Sequence, residues 1–457
     1  MDHNLHACFA WISSFEAQIN SVQKKIPLVV GFGITGKSLI NHLSKSHKEL
    51  YLIEDSADNF DFGKSLNDKL NLIVNPVIDE KLFNKVSEIY SSPGIPEDHI
   101  VLSMANENKI NVLSDIEIFL KKTQCVKILV TGTNGKTSTC LILKTLLQSL
   151  FPNLNIEALG NIGFPVLDYM EKNLDIAIIE ISSFQLKLIK EIEYDFGILL
   201  NIAEDHLDRH ANFEEYKELK YSVLKNAVYG VSFESKNPFK NDHRNFKDKQ
   251  LSSDILEMPC FRYWPSHDLE NLKAALEVVS IYCEKYSDFS FLEVELKSFL
   301  EKAFSDFNRP SHRFELLEKI NGINFINDSK ATNLSSMLMA INATSSISKE
   351  GNIYLVCGGD LKNQNLTTID LDPLRKVNKA IIYGKDKHKM SQSFACYTDS
   401  LTADDLIQAT KLAIEHSSCE DYVLLSPACS SLDMFKDYAE RGDIFKNYVR
   451  NLKSNES

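Results

Sequence analysis

The chain of 457 residues lacks the features of membrane and secreted proteins. No run of about 18 apolar residues occurs, so no membrane-spanning helix is predicted. Residues 1–25 contain Asp2, His3 and Glu16 without an uninterrupted apolar block, so neither a signal peptide nor an anchor is expected there. The nine cysteines are odd in number, and no two have the CxxC spacing. This pattern predicts reduced thiols and a cytoplasmic location.

The chain also lacks an excess of basic residues. There are 50 Lys and Arg residues against 63 Asp and Glu residues, and the formal net charge is −13. A broad cationic face for nucleic acid or membrane is therefore not expected, and any phosphate site must be local. With 44% hydrophobic and 25% charged residues the chain is typical of globular proteins, which excludes disordered and collagen-like classes. No fixed-period repeat or low-complexity tract occurs.

Strand-like and helix-like segments alternate along the chain, which predicts an α/β fold. Predicted strands cover residues 26–30, 49–53, 72–74, 89–90, 126–130, 176–181, 196–200, 323–326, 353–356, 380–383 and 422–425. Predicted helices cover part of the N-terminal extension and residues 37–46, 139–150, 214–225, 269–282, 291–304, 335–342 and 406–416. At roughly 100–200 residues per domain, the length favours three domains. We expect a Rossmann-like sheet at 1–113, a central P-loop-type α/β domain at 114–309 and a Rossmann-like α/β domain at 310–457. Residues 233–250 are polar and are predicted to form a surface loop or a small excursion.

A glycine turn follows the first predicted strand. The segment Gly31-Phe-Gly33-Ile-Thr-Gly36 fits GxGxxG, opens a helix and has Asp55 about 20 residues downstream, as in dinucleotide sites. The physical requirement is broader, because glycines and a helix N-terminus accommodate any nucleotide diphosphate. NAD and UDP-type ligands both remain possible from this pattern.

A second glycine turn follows the strand at 126–130. In Thr131-Gly-Thr-Asn-Gly-Lys136-Thr137, backbone amides can surround a phosphate that Lys136 neutralises, and the Thr137 hydroxyl can hold Mg²⁺. The full P-loop pattern requires glycine where Val130 stands, so only the shorter GxxGKT form is present. Its position between strand and helix still favours a phosphate site.

Polar side chains end the next two central strands. Glu180 suits a metal-ligand position facing the phosphate loop, and Ser182 and Gln185 follow it at the ligand-binding end of the sheet. His206 lies in a charged segment after the strand at 196–200, where it could bind metal or orient substrate, although a solvated turn is the simpler interpretation. Helical periodicity makes Lys220 an ordinary solvated lysine.

Eight motifs stand in one order along the chain: GTNGKT, EISSFQ, NIAEDHLDRH, HDLEN, HRFE, DSKATN, CGGDLK and SPACSSLDMFKDYAERG. Together they resemble the Mur ligase family over about residues 26–450, apart from the polar insertion. The GFGITGKS and SSPG loops, HRFE and the last motif resemble the branch that joins D-glutamate to UDP-N-acetylmuramoyl-L-alanine in peptidoglycan precursor synthesis.

This resemblance implies an ATP-dependent amide ligase that works through an acyl phosphate, with two Mg²⁺ ions. It makes Lys136, Glu180, His206 and Lys220 the catalytic set and implies a carbamylated Lys220. Metal ligands would be Thr137, Glu180, His206 and the Lys220 carbamate. The ATP-binding set it implies is Gly132, Thr133, Asn134, Gly135, Lys136, Thr137, Ser138, Asn271, Arg313 and Asp328.

The resemblance also assigns both other substrates. The UDP-substrate set is Gly33, Ile34, Thr35, Asp55, Ser92, Pro93, Gly94, Asn161, Ser182 and Gln185, and this assignment decides the first glycine turn against NAD. The D-glutamate set is Lys330, Thr332, Lys362, Ser431 and Tyr438. Two positions depart from the family: Asp268 stands where Asn is frequent and is left out of the site, and Tyr438 replaces the usual phenylalanine. No nucleic-acid partner is expected, and the chain is expected to be a monomer.

Two other functions are weighed against this one. A folylpolyglutamate synthase would share the ATP domain but lack a UDP-binding first domain, so the GFGITGKS and SSPG loops argue against it. A regulatory protein that senses ATP or NAD without chemistry would not need Lys136, Glu180, His206 and Lys220 together.

Overall fold

The structure is a computed structural model. It describes residues 25–56, 70–189, 191–205, 210, 212–234, 239, 242–247, 249–261, 264–287, 295–307, 309–348, 350–362, 364–367 and 369–454. Three sheets with helices between their strands confirm the predicted α/β class. The predicted helix in the N-terminal extension lies outside the described residues. No described helix is both long and apolar enough to cross a bilayer.

The first sheet is parallel and has the strand order β3-β2-β1-β4-β5. Its strands are β1 (Ile26–Val30), β2 (Glu49–Ile53), β3 (Asn71–Val74), β4 (Val86–Ser91) and β5 (Val112–Leu113). Its helices are Ile34–Ser44, Glu80–Lys85, Ile100–Glu107 and Asp115–Lys122. The strand order reverses between β1 and β4, so ligands are expected at the carboxyl ends of these two strands.

The second sheet has the order β11-β10-β9-β6-β8-β7. Its strands are β6 (Val126–Thr131), β7 (Ile156–Gly160), β8 (Ile176–Glu180), β9 (Tyr194–Leu199), β10 (Ala227–Ser232) and β11 (Asp242–Asn245). Its surrounding helices are Lys136–Leu150, Ser183–Leu188, Phe213–Lys225, Ser253–Leu256, Ser266–Tyr286 and Leu296–Phe304. The polar insertion differs from the predicted loop because β11 pairs in parallel with β10 as an edge strand. Side chains exposed on an edge strand can be polar, which conceals the strand from hydrophobic pattern analysis.

The third sheet has the order β12-β13-β17-β14-β15-β16. Only β12 among these strands is antiparallel to its neighbour, β13. The strands are β12 (Glu315–Leu316), β13 (Asn324–Asn327), β14 (Ile353–Gly358), β15 (Val377–Tyr383), β16 (Asp399–Thr402) and β17 (Tyr422–Leu425). The helices are Leu334–Ile347, Lys387–Phe394, Leu406–His416 and Tyr438–Ser454. Side chains that alternate along β14 and β17 enter two separate apolar clusters, so this sheet is buried on both faces.

Packing divides the chain into two compact units. The first comprises residues up to 125 together with 159–174 and 184–192, and the second comprises 126–158, 175–183 and 193 onward. Within the first unit, the 3₁₀ helix Val166–Tyr169 packs against helices Ile34–Ser44 and Asp115–Lys122. The Ser38 hydroxyl donates a hydrogen bond to Asp168 at 2.6 Å, which ties this inserted segment to the first sheet. The second unit contains the third sheet and the second sheet, except for residues 159–160 at the end of β7.

Candidate functional site

The second glycine turn forms a backbone cradle between β6 and the helix Lys136–Leu150. Gly135 has φ +83°, and a Cβ there would lie 2.5 Å from the Asn271 side-chain oxygen, so glycine is required. The amide of Asn134 donates to the Asn201 side chain at 2.9 Å, and the Asn201 amide donates back to the Asn134 carbonyl. These bonds fix the turn against the end of β9.

The helix start combines a cation with an oxygen-rich cluster. Lys136 Nζ donates to the carbonyls of Gly132 and Thr133, both at 2.9 Å. The Thr137 hydroxyl donates to Glu180 at 2.5 Å and accepts from Arg313 at 2.6 Å. Burial lowers the pKa of Lys136, while the nearby Glu180 and Asp205 carboxylates raise it. The structure thus brings together four residues predicted from three distant segments.

Arg313 lies between two residues with strained backbone conformations. His312 and Phe314 have φ angles of +64° and +47°, in the left-handed region that non-glycine residues rarely adopt. The Phe314 amide donates to Asp328 at 3.0 Å, and the Ser426 hydroxyl donates to the other Asp328 oxygen at 3.0 Å. Burial raises the pKa of Asp328 to about 7. Asp328 therefore anchors the segment 312–314, in addition to its predicted nucleotide contact.

Lys220 differs from its periodicity-based interpretation because it is buried, with 2% of its surface exposed. Its Nζ donates to the Gly132 carbonyl at 2.8 Å and lies 4.7 Å from the centre of the Tyr216 ring. Burial, followed by repulsion from Lys136, moves the pKa of Lys220 well below its usual value. Burial at this position thus favours the neutral form of the amine beside the second glycine turn.

The loop after β9 completes this neighbourhood. The Thr133 hydroxyl pairs with the Tyr216 hydroxyl at 3.0 Å and also meets the backbone of Ala203. A buried His210 imidazole contacts the Ser183 hydroxyl at 3.0 Å. The predicted ligand His206 lies outside the described residues, and within those residues no three His, Cys, Asp or Glu side chains cluster as a metal site would require.

Asp268, which departs from the family pattern, has a partner of its own. Its carboxylate pairs with Arg309 and also accepts from the Asn271 amide at 3.1 Å. Arg309 lies over the Trp264 and Phe314 rings, and burial lowers its pKa to about 10. Burial, with the nearby charges of Arg309 and Arg313, lowers the pKa of His267 to about 3, so this imidazole is neutral. The carboxylate at 268 therefore balances a buried guanidinium and orients Asn271.

Four of the five predicted D-glutamate residues lie on three loops at the carboxyl ends of β13, β14 and β17, and the fifth, Tyr438, begins the helix Tyr438–Ser454. Lys330 Nζ lies 3.6 Å from the centre of the Tyr438 ring, and burial lowers the Lys330 pKa to about 7, with a contribution from Arg313. Lys362 has φ +48°, and its amide donates to Asp360 at 2.8 Å. Ser431 is buried in the last of these loops.

Two residues next to this set contact the phosphate loop and were missed by the sequence analysis. Asn333 donates to Asn134 at 3.3 Å and to Asp205 at 3.1 Å. The Ser336 hydroxyl donates to the same Asn134 oxygen at 2.7 Å. Asn333 lies inside the DSKATN motif, one residue beyond the assigned Thr332, so its signal was present.

The first glycine turn has different neighbours. The Phe32 amide donates to Glu54 at 2.6 Å, and the Ser92 hydroxyl donates to the Gly31 carbonyl at 3.2 Å. Asp55 is exposed and meets His99 Nε2 at 3.1 Å. His99 Nδ1 accepts from the Val101 amide at 3.2 Å, so its proton lies on Nε2 and can be donated to Asp55. The sequence analysis missed Glu54 and His99. Glu54 was visible as an acidic residue next to Asp55, whereas no sequence pattern marked His99.

The two compact units divide the remaining predicted residues. The first unit holds the following: Gly33, Ile34, Thr35, Asp55, Ser92, Pro93, Gly94, Asn161 and Gln185. The second unit holds Ser182 and all the described residues of the ATP and D-glutamate sets. Ile34 is exposed at the start of its helix, whereas Gln185 is buried. The ATP and D-glutamate sets therefore share one compact unit.

Three family models match consecutive parts of the chain. A Mur ligase MurD-like N-terminal domain matches residues 25–114, a Mur ligase middle domain matches 130–251, and a Mur ligase glutamate ligase domain matches 312–429.

Curated relatives match nearly the whole chain. A UDP-N-acetylmuramoylalanine–D-glutamate ligase of Caldicellulosiruptor saccharolyticus is 31% identical over 478 residues, covering 94% of this chain and 99% of the relative. The ligase of the same name from Francisella tularensis subsp. holarctica is 29% identical over 447 residues, with 96% and 99% covered.

Solved structures share the fold at low identity. The MurF ligase from Thermotoga maritima in complex with ADP has a TM-score of 0.58 at 15% identity and covers 95% of this chain and 99% of its own. FolC of E. coli in complex with DHPP and ADP has a TM-score of 0.54 at 14% identity, covering 80% of this chain and all of its own.

Proposed function

The chain belongs to the Mur ligase family, and we propose that it joins D-glutamate to UDP-N-acetylmuramoyl-L-alanine with consumption of ATP. It is a ligase of peptidoglycan precursor synthesis, the function that its full-length relatives carry in their names. The proposal concerns the specific substrates, the use of ATP and the roles of individual residues. We also propose a cytoplasmic monomer with domains at 1–113, 114–309 and 310–457.

The cluster of Lys136, Thr137, Glu180 and Arg313 carries this proposal. In the proposed reaction the substrate carboxylate attacks the γ-phosphate of ATP, which gives an acyl phosphate and ADP. The amine of D-glutamate then attacks the acyl carbon and releases phosphate, forming the amide. Negative charge on the transferring phosphoryl group requires fixed cations, and Lys136 and Arg313 meet the loop from two sides.

Oxygen ligands for magnesium are present in the same cluster. The Thr137 hydroxyl and the Glu180 carboxylate touch one another, and hard oxygen donors of this kind fit Mg²⁺. Thr137 and Glu180 would hold one ion, and His206 with a carbamylated Lys220 would hold a second. Mg²⁺ supplies charge neutralisation for the phosphates.

The environment of Lys220 supports the proposed carbamate. Reaction with CO₂ requires a neutral amine: the nitrogen forms a bond to carbon, one proton leaves and an anionic oxygen ligand results. Burial depresses the pKa of Lys220, which shifts its amine toward the neutral form that this reaction needs. An ammonium group could not serve as a metal ligand at this position.

The D-glutamate site is proposed from its charge. Lys330 and Lys362 lie on the loops after β13 and β14, and two cations suit a dicarboxylate amino acid. Thr332, Ser431 and Tyr438 complete the proposed set. Because the pKa of Lys330 is about 7, its charge depends on what binds beside it. A bound carboxylate would restore the charged form.

We propose that the uridine diphosphate part of the substrate binds where the strand order of the first sheet reverses. The turn Gly31–Gly36 and the segment Ser92–Gly94 follow β1 and β4, the two strands between which the strand order reverses. Asp55 completes this set at the end of β2. The match of residues 25–114 to a MurD-like N-terminal domain supports this assignment over a folate-type acceptor.

One assay tests the whole proposal. Phosphate release from ATP is measured with UDP-N-acetylmuramoyl-L-alanine and, in turn, D-glutamate, L-glutamate, lysine and diaminopimelate. Only D-glutamate is expected to support turnover. Release with a pteroate-type acceptor in place of the UDP substrate would favour the folylpolyglutamate alternative, and no release with any pair would favour a nucleotide sensor.

A further inference from the structure

Arg441 is the largest side chain among the fully buried residues, and none of the predicted roles uses it. It lies in the first turn of the helix Tyr438–Ser454, in the segment that the last sequence motif covers. An arginine guanidinium remains charged inside proteins and is costly to bury without partners. Its partners therefore indicate what the fold gains from it.

All three hydrogen bonds of the guanidinium end on the loops of the D-glutamate set. Nη2 donates to the Ser329 carbonyl at 2.8 Å, and Nε donates to the Ser329 hydroxyl at 3.0 Å. Nη1 donates to the Cys429 carbonyl at 3.1 Å. Ser329 precedes Lys330, and Cys429 stands two residues before Ser431. One planar fork thus joins the loop after β13 to the loop after β17.

The same network reaches the third segment of the set. The Ser329 hydroxyl donates to the Tyr438 carbonyl at 2.8 Å, and the Tyr438 ring faces Lys330 Nζ. The helix also packs closely against the His312 ring. Glycine at position 442 permits this approach, because a Cβ there would lie 2.2 Å from the ring. Arg441 is thus bonded, directly or through Ser329, to the segments that carry Lys330, Ser431 and Tyr438.

The hydrogen-bond acceptors of the Arg441 guanidinium are carbonyl and hydroxyl oxygens. Within the described part of the chain no carboxylate forms an ion pair with Arg441. A charged donor forms stronger hydrogen bonds to such acceptors than a neutral donor would, so these three bonds hold the joined segments firmly.

We propose that Arg441 is a positioning residue that fixes three segments of the amino-acid site relative to one another: the loop after β13, the loop after β17 and the start of the helix Tyr438–Ser454. This role rests on the proposed function, because only that function assigns these loops to D-glutamate. Arg441 does not itself touch the substrate in this proposal.

The test compares Arg441→Lys and Arg441→Met with Phe445→Leu. Phe445 is buried in the same helix one turn further on and belongs to the apolar cluster, so its substitution reports helix destabilisation alone. Arg441→Lys keeps the charge but loses the planar guanidinium and its set of three hydrogen bonds. We expect the KM for D-glutamate to rise roughly tenfold or more in this variant. The KM values for ATP and the UDP substrate should stay within about twofold of the wild-type values. Arg441→Met is expected to raise the KM for D-glutamate further, and Phe445→Leu to leave it unchanged.

Hydrogen exchange provides a readout independent of the substrate. Amides of residues 329–331 and 429–431 are expected to exchange faster in Arg441→Lys than in the wild-type chain and in Phe445→Leu. This measurement remains decisive for the positioning role if the wild-type protein does not use D-glutamate, an outcome that would overturn the proposed function alone.

The proposal is overturned if folded Arg441→Lys retains the wild-type KM for D-glutamate and wild-type exchange at both loops. It is also overturned if all three KM values rise together in Arg441→Lys and Phe445→Leu. Should Arg441→Lys fail to fold, Ser329→Ala removes only the hydroxyl acceptor and is expected to raise the KM for D-glutamate severalfold. An unchanged KM in that variant would equally refute the role.

Discussion

The two glycine turns follow the first strands of their sheets in the same way, yet different charged side chains contact them. At Gly31–Gly36, the carboxylate of Glu54 accepts the Phe32 amide, so a loop donor already has an anionic partner. At Gly132–Thr137, Lys136 donates to two loop carbonyls and Arg313 donates to the Thr137 hydroxyl. Glycine spacing therefore specifies a backbone shape, whereas side chains from distant segments decide which ligand chemistry the loop can serve.

The largest effect is expected at the cationic turn. Lys136→Ala should lower kcat/KM by on the order of 10²–10³-fold or more, because a preorganised cation at the transferring phosphoryl group is lost. Binding of the UDP substrate, measured by calorimetry, should remain. Lys144→Ala is the control, since Lys144 lies on the same helix but pairs with Glu157 away from the turn. Near-normal turnover of Lys136→Ala would contradict the phosphate role.

Lys220→Ala should also inactivate the enzyme, with a loss on the order of 10²-fold or more if an essential metal ligand disappears. Short carboxylates added to the assay should restore part of the activity, because they can supply the missing anionic oxygen. The exposed Lys217 on the same helix provides the matched alanine control. Full activity of Lys220→Ala would rule out the carbamate.

A smaller and more selective effect is expected at the first turn. Asp55→Ala should raise the KM for the UDP substrate roughly tenfold, the equivalent of one lost hydrogen bond of about 1.4 kcal/mol, without changing the KM for ATP. His99→Ala should shift the same constant in the same direction, since His99 orients Asp55. Glu49→Ala, at the other end of β2, serves as the control. A change confined to ATP would show that the two turns had been assigned the wrong way round.

The Asp268–Arg309 pair gives a test by rescue. Asp268→Asn should raise the KM for ATP roughly fivefold, because it leaves a buried guanidinium unbalanced next to Asn271. Adding Arg309→Gln should recover most of the loss, since both charges are then gone. A double variant no better than Asp268→Asn alone would refute the coupling.

The smallest expected effect concerns stability. Burial lowers the pKa of Lys330 to about 7 from an unfolded value of 10.5, so between these pH values the unfolded chain binds more protons than the folded one. Stability contributed by this site therefore rises with pH above 7, with a slope of at most about 1.4 kcal/mol per pH unit. Denaturant unfolding of Lys330→Met, followed from pH 7 to 8.5, should show a shallower rise than the wild type. Equal slopes would mean that Lys330 is charged in the folded protein.

The sequence predicted most central strands because they are continuous apolar runs. β1 and β2 were predicted to the residue, whereas helix starts were missed by about one turn: Ile34 and Lys136 begin helices that apolar periodicity placed three residues later. Ile34 is apolar but exposed, and Lys136 is polar, so neither residue extends the buried apolar face of its helix.

The candidate site was predictable where its residues lie in compact motifs, as with Lys136, Glu180 and Arg313. Partners contributed by tertiary packing were not. The burial of Lys220, the pairing of Asp268 with Arg309 and the link from His99 to Asp55 each depend on segments far apart in the chain. Local patterns carry no information on such distances.

The segments 159–174 and 184–192 return to the first unit after the chain has begun the central sheet. During synthesis, the nascent chain up to residue 125 thus lacks the 3₁₀ helix Val166–Tyr169 that covers helices Ile34–Ser44 and Asp115–Lys122. Completion of that core must wait until residue 192 has left the ribosome. A protease cut after residue 125 would likewise release a fragment that lacks two segments of the first unit, so residues 1–125 alone do not make up that unit.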